Sequence, residues 1–223
     1  MNYQKKLDEL LTNVSSSIVT SQSTKTSLLL HACCGPCSSY VLEYLYKFFD
    51  ITVLYYNPNI YPQEEYERRL TELRKLYEVF PPALEGKVEV VEMESEPEDF
   101  YKAVGTRENP GLATEAEKGE RCRRCYVFRL KRAYEYAAAN QFDYFCTTLS
   151  ISPFKDAEKL NVIGDELEQK ADGKGPRWLP SDFKKKGGFK RSLEISAEYG
   201  MYRQDYCGCI YSKNNRNSAI IKE

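Results

Sequence analysis

The chain has 223 residues, 42% of them apolar, and its 32 lysines and arginines nearly balance its 33 aspartates and glutamates. This composition excludes a disordered chain and a protein that binds nucleic acid through an overall basic charge. The single histidine, His31, excludes sites built from several histidines. Apolar runs are far shorter than a bilayer span, and the first residues lack the apolar stretch of a secretory leader. We therefore expect a soluble, cytoplasmic protein.

The predicted elements begin with an amphipathic helix over residues 1–14 and a Ser- and Thr-rich linker over 15–26. Either a poorly ordered extension or a docked helix fits this segment. The first strand, Ser27–Ala32, is mostly apolar, as in a buried parallel strand. The helix that follows has Val41, Leu42, Leu45, Phe48 and Phe49 at helical spacing. Further strands are predicted at Ile51–Tyr56, Val88–Met93, Phe142–Thr147 and near Trp178, and further helices at Glu64–Phe80, Pro97–Val104, Arg124–Ala139, Asp156–Lys170 and Lys190–Tyr199.

Strands that alternate with helices predict βαβ units and a parallel sheet. The fold class is therefore α/β: one Rossmann-like domain with helices on both faces of the sheet. Ligands of such folds bind at the carboxyl ends of the strands, which places the site at the loops after Ala32, Tyr56 and Thr147. The loop after the first strand has no GxxxxGK[ST] or GxGxxG pattern, so the sequence gives no support for ATP or NAD binding there.

Seven of the eight cysteines fall in three short clusters. The clusters are Cys33, Cys34 and Cys37 after the first strand, Cys122 and Cys125 at the start of a helix, and Cys207 with Cys209. In a reducing compartment such clusters indicate metal ligation or redox chemistry rather than structural disulfides. The eighth cysteine, Cys146, lies alone in an apolar strand and is interpreted as a small buried apolar side chain. His31 is likewise interpreted as a core histidine.

The spacing leaves three kinds of chemistry open. Structural zinc takes four thiolates in two CxxC pairs, which would be Cys34, Cys37, Cys122 and Cys125. A 4Fe–4S cluster also takes four thiolates, and Cys33, Cys34, Cys122 and Cys125 would supply them. Cys207 and Cys209 would then form a redox pair or a second metal site, and dithiol chemistry is the third alternative. A helix start and nearby arginines are expected to lower the pKa of Cys122 and Cys125, and the arginines would help offset the negative charge of a thiolate-bound centre.

The segment Phe183–Arg191 carries five positive and no acidic side chains, with two phenylalanines among them. Such a segment can contact phosphates and stack on splayed bases. A solvated lysine loop explains the same composition equally well.

Six motifs in this order carry a resemblance to a known family. They are His31-x-Cys33-Cys34-x-Pro36-Cys37, Tyr56-Asn57-Pro58-Asn59-Ile60, Glu65-Tyr66-x-x-Arg69, Arg121-Cys122-x-x-Cys125, Thr147-Thr148-Leu149-x-x-Ser152-Pro153-x-Lys155 and Tyr202-Arg203-Gln204-x-Tyr206-Cys207-Gly208-Cys209. Together they resemble the cobalamin-independent epoxyqueuosine reductases, the QueH family, over residues 27–212. We expect residues 1–26 to be an N-terminal extension and 213–223 a polar tail.

The resemblance implies a HUP-type Rossmann-like fold and the last step of queuosine synthesis. In that step the epoxide oxygen of epoxyqueuosine, at the wobble position of tRNA, is removed with two electrons from an external donor. The resemblance also implies a 4Fe–4S cluster, with Cys33, Cys34, Cys122 and Cys125 as its ligands. By the same resemblance Cys207 and Cys209 are catalytic, either as a redox-active disulfide or as ligands of a mononuclear iron. Cys37 is then a further ligand or thiol.

Two other functions stay open at this point. An ATP-dependent tRNA thiolation enzyme would share the fold, but it needs a phosphate-binding loop where Cys33–Cys37 stands. A zinc-stapled RNA-binding module would use the cysteines only to hold the fold. Iron and sulfide content separates the reductase from the RNA-binding module, and ATP consumption in the presence of tRNA separates it from the thiolation enzyme.

Overall fold

Five strands form one parallel sheet in the order β3-β2-β1-β4-β5. The computed structural model describes the backbone of residues 1–21 and 25–220 and the side chains of residues 1–16 and 25–216. The strands are β1 (Thr26–Ala32), β2 (Phe49–Tyr55), β3 (Glu89–Glu92), β4 (Tyr144–Thr147) and β5 (Arg177–Trp178). The helices are α1 (Tyr3–Ser21), α2 (Gly35–Leu45), α3 (Gln63–Val79), α4 (Pro81–Glu85), α5 (Pro97–Val104), α6 (Gly111–Thr114), α7 (Glu120–Ala139), α8 (Ala157–Lys170), α9 (Gly188–Glu198) and α10 (Ile210–Ile220), and Thr148–Ile151 forms one turn of 3-10 helix.

β1 is the central strand and is buried on both faces. Leu30 pairs with Val53 of β2 on one side and with Cys146 of β4 on the other. One face of the sheet packs against α1, α2, α3 and α9, and the other against α7 and α8. A strand covered on both faces favours apolar residues on both sides, which explains the run of three leucines in its sequence. The predicted α/β fold, a parallel sheet with helices on both faces, is confirmed.

The N-terminal helix is longer than predicted and is docked. Leu7, Leu11 and Val14 are buried in the main core. The predicted linker is wrong for residues 15–21, which continue α1. There the hydroxyls of Ser15 and Ser16 donate to carbonyls four residues earlier, so these polar side chains are satisfied inside a helix. The rest of the predicted linker includes residues 22–24, which lie outside the described part of the chain.

Several other boundaries differ from the sequence prediction, among them the start of α7, which lies at Glu120 instead of Arg124. α2 ends at Leu45, and Phe49, which was expected on that helix, begins β2. Pro81-Pro82 ends α3 as predicted, but it also begins α4, because proline suits the first turn of a helix. At the carboxyl end, residues 213–220 belong to α10 rather than to a polar tail that frays. The buried Ser212 fixes the start of α10 through a hydrogen bond to Glu117.

The fold brings the expected loops together at one edge. The strand register sets Ala32 beside Tyr55 of β2 and His31 beside Thr147 of β4. The segment before α10 crosses the same edge, where the Gly208 carbonyl accepts the Tyr61 N–H at 2.8 Å. Within the described residues, no helix has the length and apolar character that crossing a bilayer requires.

Candidate metal centre

Three thiols converge where β1 passes into α2. The Sγ atoms of Cys33, Cys34 and Cys37 all lie within 4.8 Å of one another. Cys34 caps the amino end of α2, and its sulfur accepts the Cys37 N–H at 3.4 Å. Gln204, from the segment before α10, donates to the same sulfur at 2.9 Å. In the described part of the chain this is the one group of three or more potential ligand side chains drawn so close together.

The three thiols are arranged to share negative charge. Hydrogen bonds from Cys34 and Cys37 hold the pKa of Cys33 well below its ordinary value, and the charges of Arg129 and Arg69 act in the same direction. Burial raises the pKa of Cys34 to about 12, and hydrogen bonding to Cys33 and Cys34 raises that of Cys37 as well. One thiolate among three close sulfurs is a site prepared for a thiophilic metal.

Cys207 and Cys209 form a second group of thiols, in which one sulfur is again held as a thiolate. The Nζ of Lys155 lies 2.6 Å from the Sγ of Cys207. A hydrogen bond from Cys209 and the charge of Lys155 hold the pKa of Cys207 well below its ordinary value. The pKa of Cys209 is raised by its contact with Cys207. The backbone N–H of Cys207 donates to Ser212 Oγ at 3.0 Å, which fixes the pair against α10.

Cys122 and Cys125 lie in the first turns of α7, and they are not part of the Cys33–Cys34–Cys37 group. The expectation that the helix start lowers their pKa is wrong: burial raises the pKa of Cys125 to about 11 and also raises the pKa of Cys122. The amide groups at the start of α7 also have another acceptor. The carboxylate of Glu115 already accepts the first free N–H groups of α7, from Glu120 at 2.8 Å and Arg121 at 2.7 Å.

The flanking arginines likewise have partners other than the thiols. The side chain of Arg121 donates to the carbonyls of Leu112 and Ala113, and Arg123 and Arg124 pair with Glu120. The negative charge of Cys207 contributes to the raised pKa of both Cys122 and Cys125. Cys207 is therefore close enough to Cys122 and Cys125 to interact with both electrostatically.

Arg129 lies between the cysteine groups. It is fully buried one helical turn after Cys125, and it donates to Asn57 Oδ1. Burial opposes its charge, but the negative charges that Cys125, Cys33 and Cys207 carry when ionised outweigh that effect and raise the pKa of Arg129. Its Nε has no protein partner, and the Tyr126 hydroxyl is also buried without one. A buried cation with a free donor, beside several thiols, fits a negatively charged, thiolate-bound group that supplies acceptors.

A cavity of about 380 Å³ opens above these groups. Cys33 and Cys37 line one side of it, and Cys207 and Lys155 line another. The other clustered cysteines are not among its lining residues. All eight cysteines are free thiols in this structure, so the expected redox-active disulfide between Cys207 and Cys209 is not formed here.

Reasoning from the residues alone missed the roles of Lys155, Gln204 and Arg129. The first two appear only as letters of the family motifs, and Arg129 belongs to none of those motifs. One signal was available, because Arg129 stands four residues after Cys125 and therefore shares its helix face.

Two sequence interpretations are confirmed as structural. His31 is buried, and its ring nitrogens contact Thr147 Oγ1 at 2.8 Å and the Tyr56 carbonyl at 3.2 Å. Burial lowers its pKa to about 3, so it is a neutral core histidine. Cys146 is buried in β4 and directs its thiol to the Leu179 carbonyl.

The basic segment Phe183–Arg191 is largely neutralised by the fold. Its phenylalanine at 183 is in the core. Four of its five cations have acidic partners: Lys184 with Asp182, Lys186 with Asp8, Lys190 with Glu194, and Arg191 with Glu43. Within the described residues, only Lys185 of this segment has no ion pair. These contacts favour a structural role for most of the segment.

Comparison with known proteins agrees with the motifs. The family model described as epoxyqueuosine reductase QueH matches residues 28–215. A protein of Streptococcus pyogenes named epoxyqueuosine reductase QueH is 37% identical over 222 residues, which is 100% of this chain and 82% of the relative. Proteins of the same name from Staphylococcus aureus and Thermotoga maritima are 36% and 32% identical, over 95% and 83% of this chain and 84% and 90% of their own lengths.

Proposed function

The chain belongs to the epoxyqueuosine reductase QueH family, and from that membership we propose how its cavity removes the epoxide oxygen of epoxyqueuosine in tRNA. The enzyme is an oxidoreductase that acts on tRNA and yields queuosine. Both C–O bonds of the epoxide break and a C=C bond forms. Two electrons enter from an external donor, two protons are taken up, and the oxygen leaves as water. The tRNA substrate assigns this activity to the cytoplasm.

One observation carries the proposal: two groups of thiols, each with one sulfur held as thiolate, face the same cavity. Cys33 and Cys37 approach it from the end of β1, and Cys207 approaches from the segment before α10. Reductive deoxygenation needs electrons and protons delivered at one place, and this cavity has groups suited to both. A cavity of about 380 Å³ is at the small end of ligand sites and suits a single nucleoside.

The cofactor we propose is a 4Fe–4S cluster. Its ligands are Cys33, Cys34, Cys122 and Cys125. When bound, such a cluster passes electrons one at a time. Arg129 offsets the negative charge of the thiolate ligands and keeps a free N–H for an acceptor. Cys37, whose sulfur lies beside Cys33 and Cys34, is a further ligand or a thiol held in reserve.

Cys207 and Cys209 are the catalytic pair of the proposal. Lys155 keeps Cys207 charged at the cavity surface, ready to give up electrons or to bind a metal ion. If the pair works as a dithiol, two electrons leave as its disulfide forms. If it instead holds a mononuclear iron, metal analysis will find iron beyond that of the cluster.

Metal analysis of protein purified without oxygen tests the cofactor. We expect about four iron and four sulfide per chain, and a large loss of both in Cys33→Ser and Cys122→Ser. Cys146→Ser is the matched control, since that cysteine is buried away from the cavity, and it should keep the full content. Zinc without sulfide, from iron-replete cells, would contradict the proposal and favour an RNA-binding module.

Turnover tests the reaction itself. Epoxyqueuosine-containing tRNA is incubated with the iron-loaded protein and a chemical reductant such as dithionite. Nucleoside mass spectrometry should show the loss of one oxygen atom from the modified base. Consumption of ATP with transfer of sulfur to the tRNA would instead identify a thiolation enzyme.

A further inference from the structure

Phe154 is an aromatic ring that the fold leaves in water at the mouth of the cavity. Its exposure is 65%, and it lines the same cavity as Cys33 and Cys207. A single exposed apolar side chain is common on protein surfaces, so the position of Phe154 beside the cavity, rather than its exposure, points to a ligand. The reaction of the proposed function assigns it no role.

The backbone holds Phe154 in place. Its N–H donates to Ser152 Oγ at 3.2 Å, and the next N–H, of Lys155, donates to the Ser152 carbonyl at 3.1 Å. Lys155 is itself buried and tied to Cys207. The backbone of Phe154 is therefore fixed on one side by the hydrogen-bonded turn at Ser152 and on the other by the buried Lys155. A platform of this kind loses little conformational entropy when a ligand stacks on it.

Three cations line the two hollows that adjoin the Phe154 turn. Lys118 and Lys185 line an open hollow that includes Pro153, where Asp156 and Asp182 pair with other lysines and Glu158 is the remaining carboxylate. Arg203 lines the cavity and donates to the Ser196 hydroxyl. None of these three cations forms an ion pair with another described residue, in contrast to most of the Phe183–Arg191 segment. An aromatic platform beside free cations is the combination that binds single-stranded nucleic acid.

We propose that Phe154 stacks on the nucleotide next to the reacting one in the anticodon loop, while Lys118, Lys185 and Arg203 contact the loop phosphates. The proposal rests on the proposed function for its RNA. The cavity has room for one nucleoside, so the neighbouring nucleotides of a bound loop stay outside, at its mouth. Phe154 then acts as a positioning residue that fixes how the modified base enters the cavity.

The test uses an anticodon stem–loop RNA with a fluorescent adenine analogue, quenched by stacking, beside the wobble position. Phe154→Ala should weaken binding by about tenfold, as expected for one lost base stack, and should abolish the quenching. Phe154→Trp should keep both. Val162→Ala, at an exposed apolar position on the outer face of α8, is the matched control and should change neither. Lys185→Gln should reduce the slope of log affinity against log salt by about 0.7.

Unchanged affinity and quenching in Phe154→Ala would overturn the proposal. So would a loss of turnover in that variant that occurs only with a protein reductant and disappears with dithionite, because this face would then serve the electron donor. The turnover assay of the wild-type protein distinguishes a failure of the stacking role from a failure of the proposed function. Wild-type protein that reduces the modified tRNA while Phe154→Ala binds normally refutes only the stacking role, whereas inactive, fully iron-loaded wild type refutes the proposed function.

Discussion

Lys155 and Cys207 form a buried ion pair that links the turn after β4 to the segment before α10, with 2.6 Å between Nζ and Sγ. Burial alone would lower the pKa of Lys155, but the Cys207 thiolate outweighs it and raises that pKa. In return the lysine stabilises the thiolate. Each residue is costly to bury by itself, and the pair is maintained because neither charge is left alone.

Removing the lysine tests this pairing. In Lys155→Met the pKa of Cys207 should rise, so its alkylation by iodoacetamide at pH 7 should slow by about tenfold in metal-free protein. The loss of thiolate is partly offset, since a thiolate of higher pKa is the better nucleophile. Peptide mass spectrometry across a pH series measures the shift. Lys159→Met, which removes an exposed lysine of α8, should leave the profile unchanged. An unaltered Cys207 profile in Lys155→Met would refute the role of the pair.

Cys207→Ala should abolish turnover and keep about four iron per chain, since Cys207 is not among the proposed cluster ligands. The measurements are iron and sulfide analysis together with nucleoside mass spectrometry of the tRNA. Cys146→Ala controls for the loss of a buried thiol elsewhere. Full turnover by Cys207→Ala would remove this cysteine from the mechanism, and loss of the cluster iron would make it a ligand.

Asp8 links α1 to the rest of the fold and gives a pH-dependent test of that docking. Burial raises the pKa of Asp8, but hydrogen bonds from Lys186, Tyr44 and Gln4 outweigh it and leave the pKa below 3.8. The unfolded chain therefore binds the proton more readily than the folded one. The stability that Asp8 contributes is present above pH 3.8 and is lost as pH falls through the lowered pKa.

Asp8→Ala should accordingly lower the free energy of unfolding by less than about 1 kcal/mol at pH 7, because the site is partly exposed and screened. The difference from wild type should shrink toward pH 3. Urea unfolding at the two pH values measures it. Glu9→Ala, at an exposed position on the same helix, should have little effect at either pH. A deficit that stays constant with pH would show that the carboxylate charge of Asp8 is irrelevant.

Gly164 tests the packing of α8 on β5. A methyl group at this position would overlap the indole of Trp178, whose ring is fixed by a 3.0 Å hydrogen bond to Asn161. Gly164→Ala should cost about 1–3 kcal/mol and lower Tm by about 2–12 °C. Gly111→Ala, in the short helix α6, adds a methyl group with only the Asn109 side chain nearby and should be close to neutral. Equal Tm values for the two variants would contradict this account.

The fold was predictable where one local rule decides the outcome. The apolar run of β1 and the glycine and proline after it are read directly from the sequence, and α5 has the predicted bounds of Pro97–Val104. α1 was cut short because serine and threonine resemble a linker in composition. The hydroxyls of Ser15 and Ser16, which donate to carbonyls four residues earlier, are satisfied inside the helix, and composition does not show this.

The candidate site likewise contains some features that the sequence predicts and others that depend on the tertiary fold. Cys33, Cys34 and Cys37 are close in sequence and flank one helix start, so their convergence could be predicted. The partnership of Lys155 with Cys207 spans 52 residues and depends on where the chain returns across the sheet. The raised pKa of Cys122 could not be predicted either, because it comes first from burial and then from the charge of Cys207, which is distant in sequence.

The path of the chain across the sheet edge has a consequence for biogenesis. Protein synthesis runs from the amino end, and folding follows it. Cys33 emerges early, whereas Cys207 and the Gly208 carbonyl that accepts from Tyr61 emerge only when the chain is almost finished. A nascent chain therefore displays the Cys33–Cys37 thiols without their cover and without Lys155 held against Cys207. A cofactor that is inserted before the last segment is synthesised enters a site that is still open on that side. A cofactor that is inserted afterwards enters a site that this segment already covers.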